Sequence, residues 1–272
     1  METIQKSKIL NWKIGGDFET FLQDKQTKKI YTAEGIIKGT KNDPYHFDPE
    51  NNYYATSLDC VLSEFNVEPC TSPGQYYLAI QKALKYIDSI LPQNMEIATI
   101  PCSRMDYDQL VSETANLFGC SVSYNAWNLE PIHPIPTGDS LRSAGAHIHI
   151  GYDNHNSETS IELIKAMDLF LGIPSILIEP ENERKQVGYG CAGNFRLQDY
   201  GGVEYRTLSS HFISTQELIE WMFRNTERAI QFINEERINE IINFGNEIQD
   251  IINNSNKELA KEFVERFNLE II

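Results

Sequence analysis

Residues 144–151 read AGAHIHIG, and this stretch decides how the rest of the chain is interpreted. Its isoleucines favour a β-strand, and His147 and His149 stand two positions apart within it. Residues i and i+2 of a strand point to the same face, about 6.5–7 Å apart. The stretch therefore predicts a strand that sends both imidazoles to one face, among small residues that let a ligand approach.

Three other predicted strands alternate polar and bulky residues in the same way. The polar positions are Asp17 and Glu19 in the strand at 13–23, Glu64, Asn66 and Glu68 in the strand at 61–68, and Glu204 and Arg206 in the strand at 201–209. A solvated sheet face also alternates, but its polar positions are normally filled by Lys, Thr, Ser and Gln. Clustered carboxylates repel one another unless a cation lies between them. The pattern therefore predicts a site for Mg²⁺ or Mn²⁺, which prefer oxygen ligands.

The order of the predicted elements indicates an α+β fold with a largely antiparallel sheet and flanking helices. Further strands are predicted at 96–100 and 121–127, and helices at 76–90, 106–118, 160–171 and from Thr215 onward. Pro69 is expected to end the strand at 61–68. The polar segment 35–57 is predicted to be a long loop that covers a cleft. We expect one domain over 1–272, with a catalytic core at about 13–213 and a helical C-terminal extension at about 214–272.

Composition limits the classes of partner. The formal net charge of −16 repels phosphate backbones and anionic lipids, which disfavours a duplex nucleic acid or a membrane surface as a direct partner. The polar N-terminus lacks a signal-peptide pattern and no apolar run approaches ~18 residues, so a cytoplasmic protein is expected, in the host cytoplasm if a phage encodes it. The five cysteines form no C-x-x-C motif and are interpreted as reduced thiols.

Five blocks of the chain, taken in order, resemble a known family. They are GGDFE at 15–19, GTKNDP at 39–44, EFN at 64–66, AGAHIHIG at 144–151 and YGGVEYRTLS at 200–209. Together they are similar to the phage-type carboxylate–amine ligases, or amidoligases, of the glutamine synthetase and γ-glutamylcysteine synthetase superfamily, over about residues 13–212. The resemblance implies a glutamine-synthetase-like sheet whose one face binds ATP and two or three divalent cations.

The resemblance also implies roles for individual residues. The implied metal ligands are Asp17, Glu19, Glu64, His147 and Glu204, with Glu68 left open. His149 would lie near the nucleotide phosphates, and Arg196 and Arg206 would hold phosphate and stabilise the transferring phosphoryl group. Arg184 precedes a Gly-rich stretch, 188–193, that is similar to a family loop and would also contact the cofactor. That loop has a Lys where this chain has Cys191, so one substrate or phosphate contact is expected to differ.

The expected reaction joins a carboxylate, on a small molecule or a peptide, to an amine. ATP would convert the carboxylate to an acyl phosphate, and the amine would then attack it. Lys41, in the loop at 35–57, is expected to reach the acyl or phosphate group. No P-loop and no nucleophile motif compete with this interpretation. The substrates and the oligomeric state stay open.

Two alternatives belong to other functional classes. A zinc-dependent hydrolase could use His147 and His149, and it would need a further ligand such as His133 or His211. A non-catalytic binding protein could retain the same fold. The dense set of carboxylates and arginines argues against the second alternative, because buried like charges are costly to keep without a cation.

Overall fold

A computed structural model of the chain describes residues 8–116, 122–133 and 140–272. Its centre is one long strand whose neighbours on both sides carry the polar residues predicted from the sequence. The strands are β1 Leu10–Asp24, β2 Ile30–Tyr31, β3 Gly39–Thr40, β4 Asp43–His46, β5 Ala55–Asp59, β6 Leu62–Cys70, β7 Met95–Ala98, β8 Cys102–Arg104, β9 Ser123–Asn125, β10 Pro131–Ile132, β11 Leu141–Ser143, β12 Ala146–Asp153, β13 Asn194–Gln198 and β14 Gly202–Tyr205.

The main sheet follows the order β10-β9-β13-β14-β12-β1-β6-β5-β3-β4. The first half of β1 pairs with β12 and β6, and its second half pairs with β2 and β7. Neighbouring strands in the sheet run antiparallel, except β3 and β5, which pair in parallel at one position. Strands β8 and β11 form a separate pair. The predicted α+β class with a largely antiparallel sheet is confirmed.

The helices cover the back of this sheet. They are α1 Pro73–Ile90, α2 Ser157–Met167, α3 Ile173–Ile178, α4 Gln216–Asn234, α5 Gly245–Asn254 and α6 Lys257–Phe267, with a π-helical turn at Asp168–Gly172 between α2 and α3. Side chains of Ser72, Asn156 and Thr215 accept backbone N–H groups at the starts of α1, α2 and α4. Such caps satisfy donors that the first helical turn leaves free. No helix of the described ranges is long and apolar enough to cross a membrane.

Helix α4, at the start of the predicted C-terminal extension, packs into the core. Trp221 and Phe223 of α4 are fully buried, and α4 packs against α1 and α2. The ring of Phe223 lies 5.6 Å from that of Tyr76 in α1, and Tyr76 in turn contacts Phe18 of β1 at 6.1 Å. The back face of β1 is therefore buried beneath α1 and α4, and the polar front face is left for a site.

Several predicted elements differ from the structure. Pro69 does not end β6, which continues to Cys70. The pairing of β6 with β1 shifts register at residues 67–70, opposite Ile14 and Gly16, and such a bulge tolerates a residue without an N–H. The helix predicted at 106–118 is wrong in its described part, where only the short turns Tyr107–Gln109 and Thr114–Asn116 form. Leu110 and Ala115 are buried there whereas Val111 is 82% exposed, and buried positions five residues apart do not form one face of a continuous helix. Residues 117, 118 and 121 lie outside the described residues.

Two further differences change which residues can reach the site. The segment predicted as a loop at 35–57 contains β3 and β4 and the start of β5. Strand β13, which carries Arg196, was not predicted. Both elements add polar side chains to the front face, one at each side of the central strands.

Candidate active site

Strand register brings the predicted polar residues onto one face. The paired positions are Asp17 with His147 and Asn66, Glu19 with Glu64, and Glu204 with His149 and Arg196. The residues between them, among them Phe18, Phe65, Ile148 and Tyr205, are fully buried on the opposite face. This is the alternation predicted from the sequence, since one face forms the core and the other carries the charges.

Asp17, His149 and Glu204 form the first of two groups, which we call the first cluster. One ligand atom from each lies within 4.8 Å of the others. His149 Nε2 lies 3.5 Å from Asp17 Oδ1, is itself buried, and has no hydrogen-bond partner among the described residues. A buried nitrogen without a partner is costly, and a divalent cation between these three side chains would supply one. The donor set therefore fits Mg²⁺ or Mn²⁺.

His147 and Arg206 flank the first cluster. His147 Nδ1 lies 2.8 Å from Asp17 Oδ1 and 3.6 Å from Glu204 Oε1, and Arg206 forms an ion pair with Glu204. Burial alone would raise the pKa of Asp17, but His147 and His149 hold it well below its usual value. Burial likewise opposes ionisation of Glu204, and Arg206 overcomes it and lowers the pKa. Both carboxylates are therefore charged in the folded protein.

A glycine makes room for the imidazole of His147. A Cβ placed on Gly145 would lie 2.3 Å from His147 Nε2, closer than real atoms approach. The same Gly145 donates its N–H to Glu19 Oε2 at 2.6 Å. The small residues at 144–151 therefore allow β12 and its neighbouring strands to hold several polar side chains close together on one face.

Arg196 lies beside the first cluster on β13. Its Nη1 is 3.7 Å from Glu204 Oε2, and Gln198 donates to the same oxygen at 2.7 Å. The side chain of Arg196 is 20% exposed and faces the cleft above the sheet. The structure thus places the two arginines predicted to hold phosphate on either side of Glu204.

Glu19, Asp59 and Glu64 form the second cluster, with one oxygen of each within 4.8 Å of the others. Ser57 donates to Glu64 at 3.0 Å. Burial, together with Asp17 and Asp59, raises the pKa of Glu64 well above its usual value. Burial and Glu19 raise the pKa of Asp59 to about 6. Carboxylates dominate this cluster, and three oxygen donors are suited to a hard divalent cation.

Asp59 was not predicted as a site residue. It lies at the end of β5, two positions after Ser57, and the β5–β6 hairpin folds it back toward Glu64. The signal that could have found it is the S-x-D alternation directly before the turn. It was missed because the preceding residues were interpreted as a loop, which has no defined faces.

Lys41 lies at the second cluster. Its Nζ is 2.6 Å from Asp59 Oδ2 and 3.9 Å from Glu64 Oε2. Burial would lower the pKa of this lysine, but Asp59 and Glu64 raise it above its usual value. Gly39 holds the segment close to β5, because its φ is +91° and an added Cβ would lie 2.4 Å from the carbonyl oxygen of Thr56.

The front face forms a cleft with a wide part and a narrow part. The wide part, about 840 Å³, lies beside the first cluster and is lined by Lys13, Tyr53, Asn66, Tyr200 and Gln198, among others. The narrow part, about 230 Å³, is lined by Lys41, Ser57, Glu64, Arg196 and Arg206, among others. Asp17 lines both parts, so the two clusters lie along one continuous surface.

Arg184 has a structural position. It is 2% exposed and donates to Ser143 Oγ at 3.0 Å and to the carbonyl oxygens of Thr207 and Leu208 at 3.0 and 3.2 Å. These carbonyls directly follow Arg206 in the chain. The structure therefore places Arg184 beneath the segment that carries Arg206, with its guanidinium turned to protein acceptors.

Glu68 lies apart from both clusters. It accepts hydrogen bonds from Asn51 at 2.7 Å and from the Tyr54 hydroxyl at 2.8 Å. His133 and His211 also take no part in the candidate metal groups found in 8–116, 122–133 and 140–272. The zinc hydrolase alternative, which needed one of these histidines, is not favoured.

Asp168 lies behind the sheet and was missed by the sequence analysis. It is fully buried in the π-helical turn and accepts hydrogen bonds from Tyr205 Oη at 2.9 Å and Trp127 Nε1 at 2.7 Å. Burial raises its pKa to about 7. Tyr205 ends β14 and stands between Glu204 and Arg206 in the chain, so Asp168 anchors this end of the strand from behind.

Residues 140–268 match the family described as phage phiEco32-like COOH.NH2 ligase-type 2. This match confirms the resemblance to phage-type carboxylate–amine ligases, and it extends into the helices α4 to α6. No curated protein matches the chain.

Two similar solved structures are ligases. A bifunctional glutathione synthetase from Pasteurella multocida is 12% identical, with a TM-score of 0.45, over 95% of this chain and 47% of the other. A Plasmodium falciparum glutamine synthetase is also 12% identical, with a TM-score of 0.36, over 80% of this chain and 52% of the other. The chain thus spans about half the length of these two proteins.

Proposed function

We propose that this chain, which matches the family of phage-type carboxylate–amine ligases over residues 140–268, is such a ligase and activates its carboxylate substrate with ATP and divalent cations. The observation that carries the proposal is the placement of two ligand clusters on one sheet face with Arg196 and Arg206 beside them. A transferring phosphoryl group needs this combination of oxygen ligands for cations and guanidinium donors for its equatorial oxygens.

The two clusters would hold the cations. Bound Mg²⁺ or Mn²⁺ would neutralise phosphate oxygens and the charge that develops during transfer. Asp17, His149 and Glu204 fit one cation and Glu19, Asp59 and Glu64 fit a second. His147, which the resemblance implies as a ligand, is held against Asp17 and would orient that carboxylate.

The two parts of the cleft suit the two substrates. A volume of about 840 Å³ with two exposed aromatic rings, Tyr53 and Tyr200, is suited to a nucleotide. The narrow part has a mostly polar lining and three cationic side chains, Lys41, Arg196 and Arg206. It would hold the acceptor carboxylate next to the transferring phosphoryl group.

The reaction would proceed in two steps. An oxygen of the acceptor carboxylate attacks the γ-phosphorus, the bond from phosphorus to the bridging oxygen breaks, and ADP leaves. The amine nitrogen then attacks the acyl carbon, the bond from that carbon to the phosphate oxygen breaks, and the nitrogen loses a proton. Arg206, fixed by Glu204, and Arg196 would stabilise the phosphoryl group in the first step by charge-assisted hydrogen bonds.

The direct test is ADP release with Mg²⁺ and a pooled set of carboxylic acids and amines. We expect release that requires both pools, and a new amide in the product mixture by mass spectrometry. Asp17→Asn is expected to abolish this release, because Asp17 belongs to the first cluster and lines both parts of the cleft. Amide formation without ATP consumption would contradict the proposal.

A further inference from the structure

The geometry points to a competition between the Lys41 ammonium and a divalent cation for the carboxylates of the second cluster. A cation that enters this cluster displaces Lys41 toward the substrate carboxylate. The inference rests on the proposed function, because it takes the second cluster as a cation site. It adds an order of binding to the reaction: the cation binds first, and the released Lys41 then binds the acceptor carboxylate.

The ammonium lies where a cation would bind. Lys41 Nζ is within 4 Å of oxygens from two of the three cluster carboxylates, at 2.6 Å from Asp59 and 3.9 Å from Glu64. A divalent cation binds such oxygens at about 2.0–2.6 Å. Two cations that share one small group of oxygens repel strongly, because the site is shielded from water. The ammonium and the divalent ion therefore favour alternative arrangements.

The lysine is the movable partner in this competition. The side chains of Asp59 and Glu64 are 14% and 12% exposed and belong to paired strands, whereas that of Lys41 is 41% exposed. A lysine ammonium lies at the end of a flexible four-carbon chain. Displacement therefore requires a change of side-chain rotamer in Lys41 and leaves the sheet in place.

The displaced ammonium of Lys41 can move to the place where the acceptor carboxylate would bind. Lys41 lines the narrow part of the cleft together with Arg196 and Arg206, where the acceptor carboxylate would bind. Once released from Asp59, the ammonium can pair with that carboxylate. Cation binding and carboxylate binding then favour each other by the same factor, as linkage requires.

The first test is Mn²⁺ titration of the wild type and of Lys41→Met, followed by electron paramagnetic resonance. We expect two bound Mn²⁺ ions in both proteins. Because the competitor is gone, the second ion should bind at least about tenfold more tightly to the variant. Affinity at the first cluster should not change.

Lys29→Met is the matched control. It removes the same charge from an ion pair of similar length, 2.8 Å to Asp106, a carboxylate that is 66% exposed and belongs to neither cluster. Its two Mn²⁺ affinities should stay within about twofold of wild type. Equal or weaker binding of the second Mn²⁺ by Lys41→Met would overturn the competition alone. Absence of bound Mn²⁺ in all three proteins would overturn the proposed cation sites as well.

The wild-type protein provides a second test that needs no variant. An amine-reactive label, quantified by mass spectrometry, reports how accessible each lysine is. We expect labelling of Lys41 to rise severalfold when Mn²⁺ saturates the protein, while labelling of Lys29 stays constant. Unchanged or reduced labelling of Lys41 at saturation would overturn the inference.

Discussion

The two carboxylate clusters lie on the same sheet face, but their charges are balanced in different ways. In the first cluster, His147 and Arg206 lie against Asp17 and Glu204, and the pKa of each carboxyl is lowered. In the second cluster, burial and neighbouring carboxylates raise the pKa of Asp59 to about 6. The first cluster is therefore charged before a ligand arrives. In the second cluster, burial and the neighbouring carboxylates oppose ionisation, and Lys41 supports it.

The two clusters also differ in what holds them. Behind the first, Asp168 binds Tyr205, and Arg184 binds the carbonyl oxygens that follow Arg206. The second cluster is carried partly by the β5–β6 hairpin. In the part of the sheet that the structure describes, β5 is followed by the short strands β3 and β4 at the edge. The first cluster is therefore preorganised, whereas the second is adjustable. Variants at or behind each cluster test this difference.

The largest effect is expected behind the first cluster, at Asp168. Its raised pKa of about 7 means that the folded protein binds this proton more tightly than the unfolded chain does. The proton on Asp168 therefore stabilises the folded protein fully below the ordinary carboxyl pKa. This stabilisation is lost as the pH rises from about 4 to about 7, and the loss in the free energy of unfolding is on the order of 4 kcal/mol. Asp168→Asn should remove this slope, as measured by urea unfolding at several pH values. A variant with the wild-type slope would show that Asp168 does not titrate in this range.

The next effect concerns catalysis at the first cluster. Arg206→Lys keeps the charge beside Glu204 but loses the two-pronged guanidinium. We expect nearly normal ATP affinity and ADP release slower by about 100-fold or more, the size typical of a lost transition-state donor. Arg237→Lys, in an exposed pair with Glu240, is the control and should keep full turnover. Full turnover in Arg206→Lys would remove Arg206 from the reaction.

A smaller effect is expected at Arg184, where it distinguishes a structural role of this side chain from a role in nucleotide binding. Arg184→Lys cannot reproduce its hydrogen bonds to Ser143, Thr207 and Leu208. Loss of two of them should lower the free energy of unfolding by about 2 kcal/mol. If Arg184 only supports the strand, the Kd for Mg²⁺–ATP should stay within about threefold of wild type. A much weaker Kd, together with unchanged stability, would instead place Arg184 among the nucleotide contacts.

The smallest effect is expected at the second cluster. Glu64→Gln replaces a carboxyl whose ionisation is opposed by burial and by its acidic neighbours, so the metal-free protein should gain about 1 kcal/mol of stability at a pH where the wild-type carboxyl must ionise. The rise in melting temperature that Mn²⁺ causes in the wild type should shrink in this variant. Glu96→Gln, which removes an exposed carboxylate paired with Lys28, should leave that rise unchanged. A less stable Glu64→Gln protein in chelator would show that the cluster is not adjustable.

Much of this site could be predicted from local sequence pattern. Alternation within β1, β6, β12 and β14 is a property of each strand alone, so it identified the polar face before the strands were paired. Asp17 and His147 could be assigned to one face although they are 130 positions apart.

The residues that were missed depend on contacts between distant segments. Asp59 joins the second cluster only through the β5–β6 hairpin, in a region that has no clear period. Asp168 looks like an ordinary polar residue of a helix, and its partners Trp127 and Tyr205 come from elsewhere in the chain. Arg184 was predicted to hold the cofactor because of the Gly-rich stretch that follows it, and that role stays a prediction. Its contacts to carbonyl oxygens 23 and 24 positions away could not be predicted from this local pattern.

The central claim is that the sheet face binds a nucleotide through divalent cations. Calorimetric titration of a non-hydrolysable ATP analogue tests it most directly, with Mg²⁺, with chelator, and with Mg²⁺ on Glu204→Ala. We expect binding with Mg²⁺, and affinity weaker by at least about tenfold both in chelator and in the variant. Equal affinity with Mg²⁺ and with chelator would contradict the account.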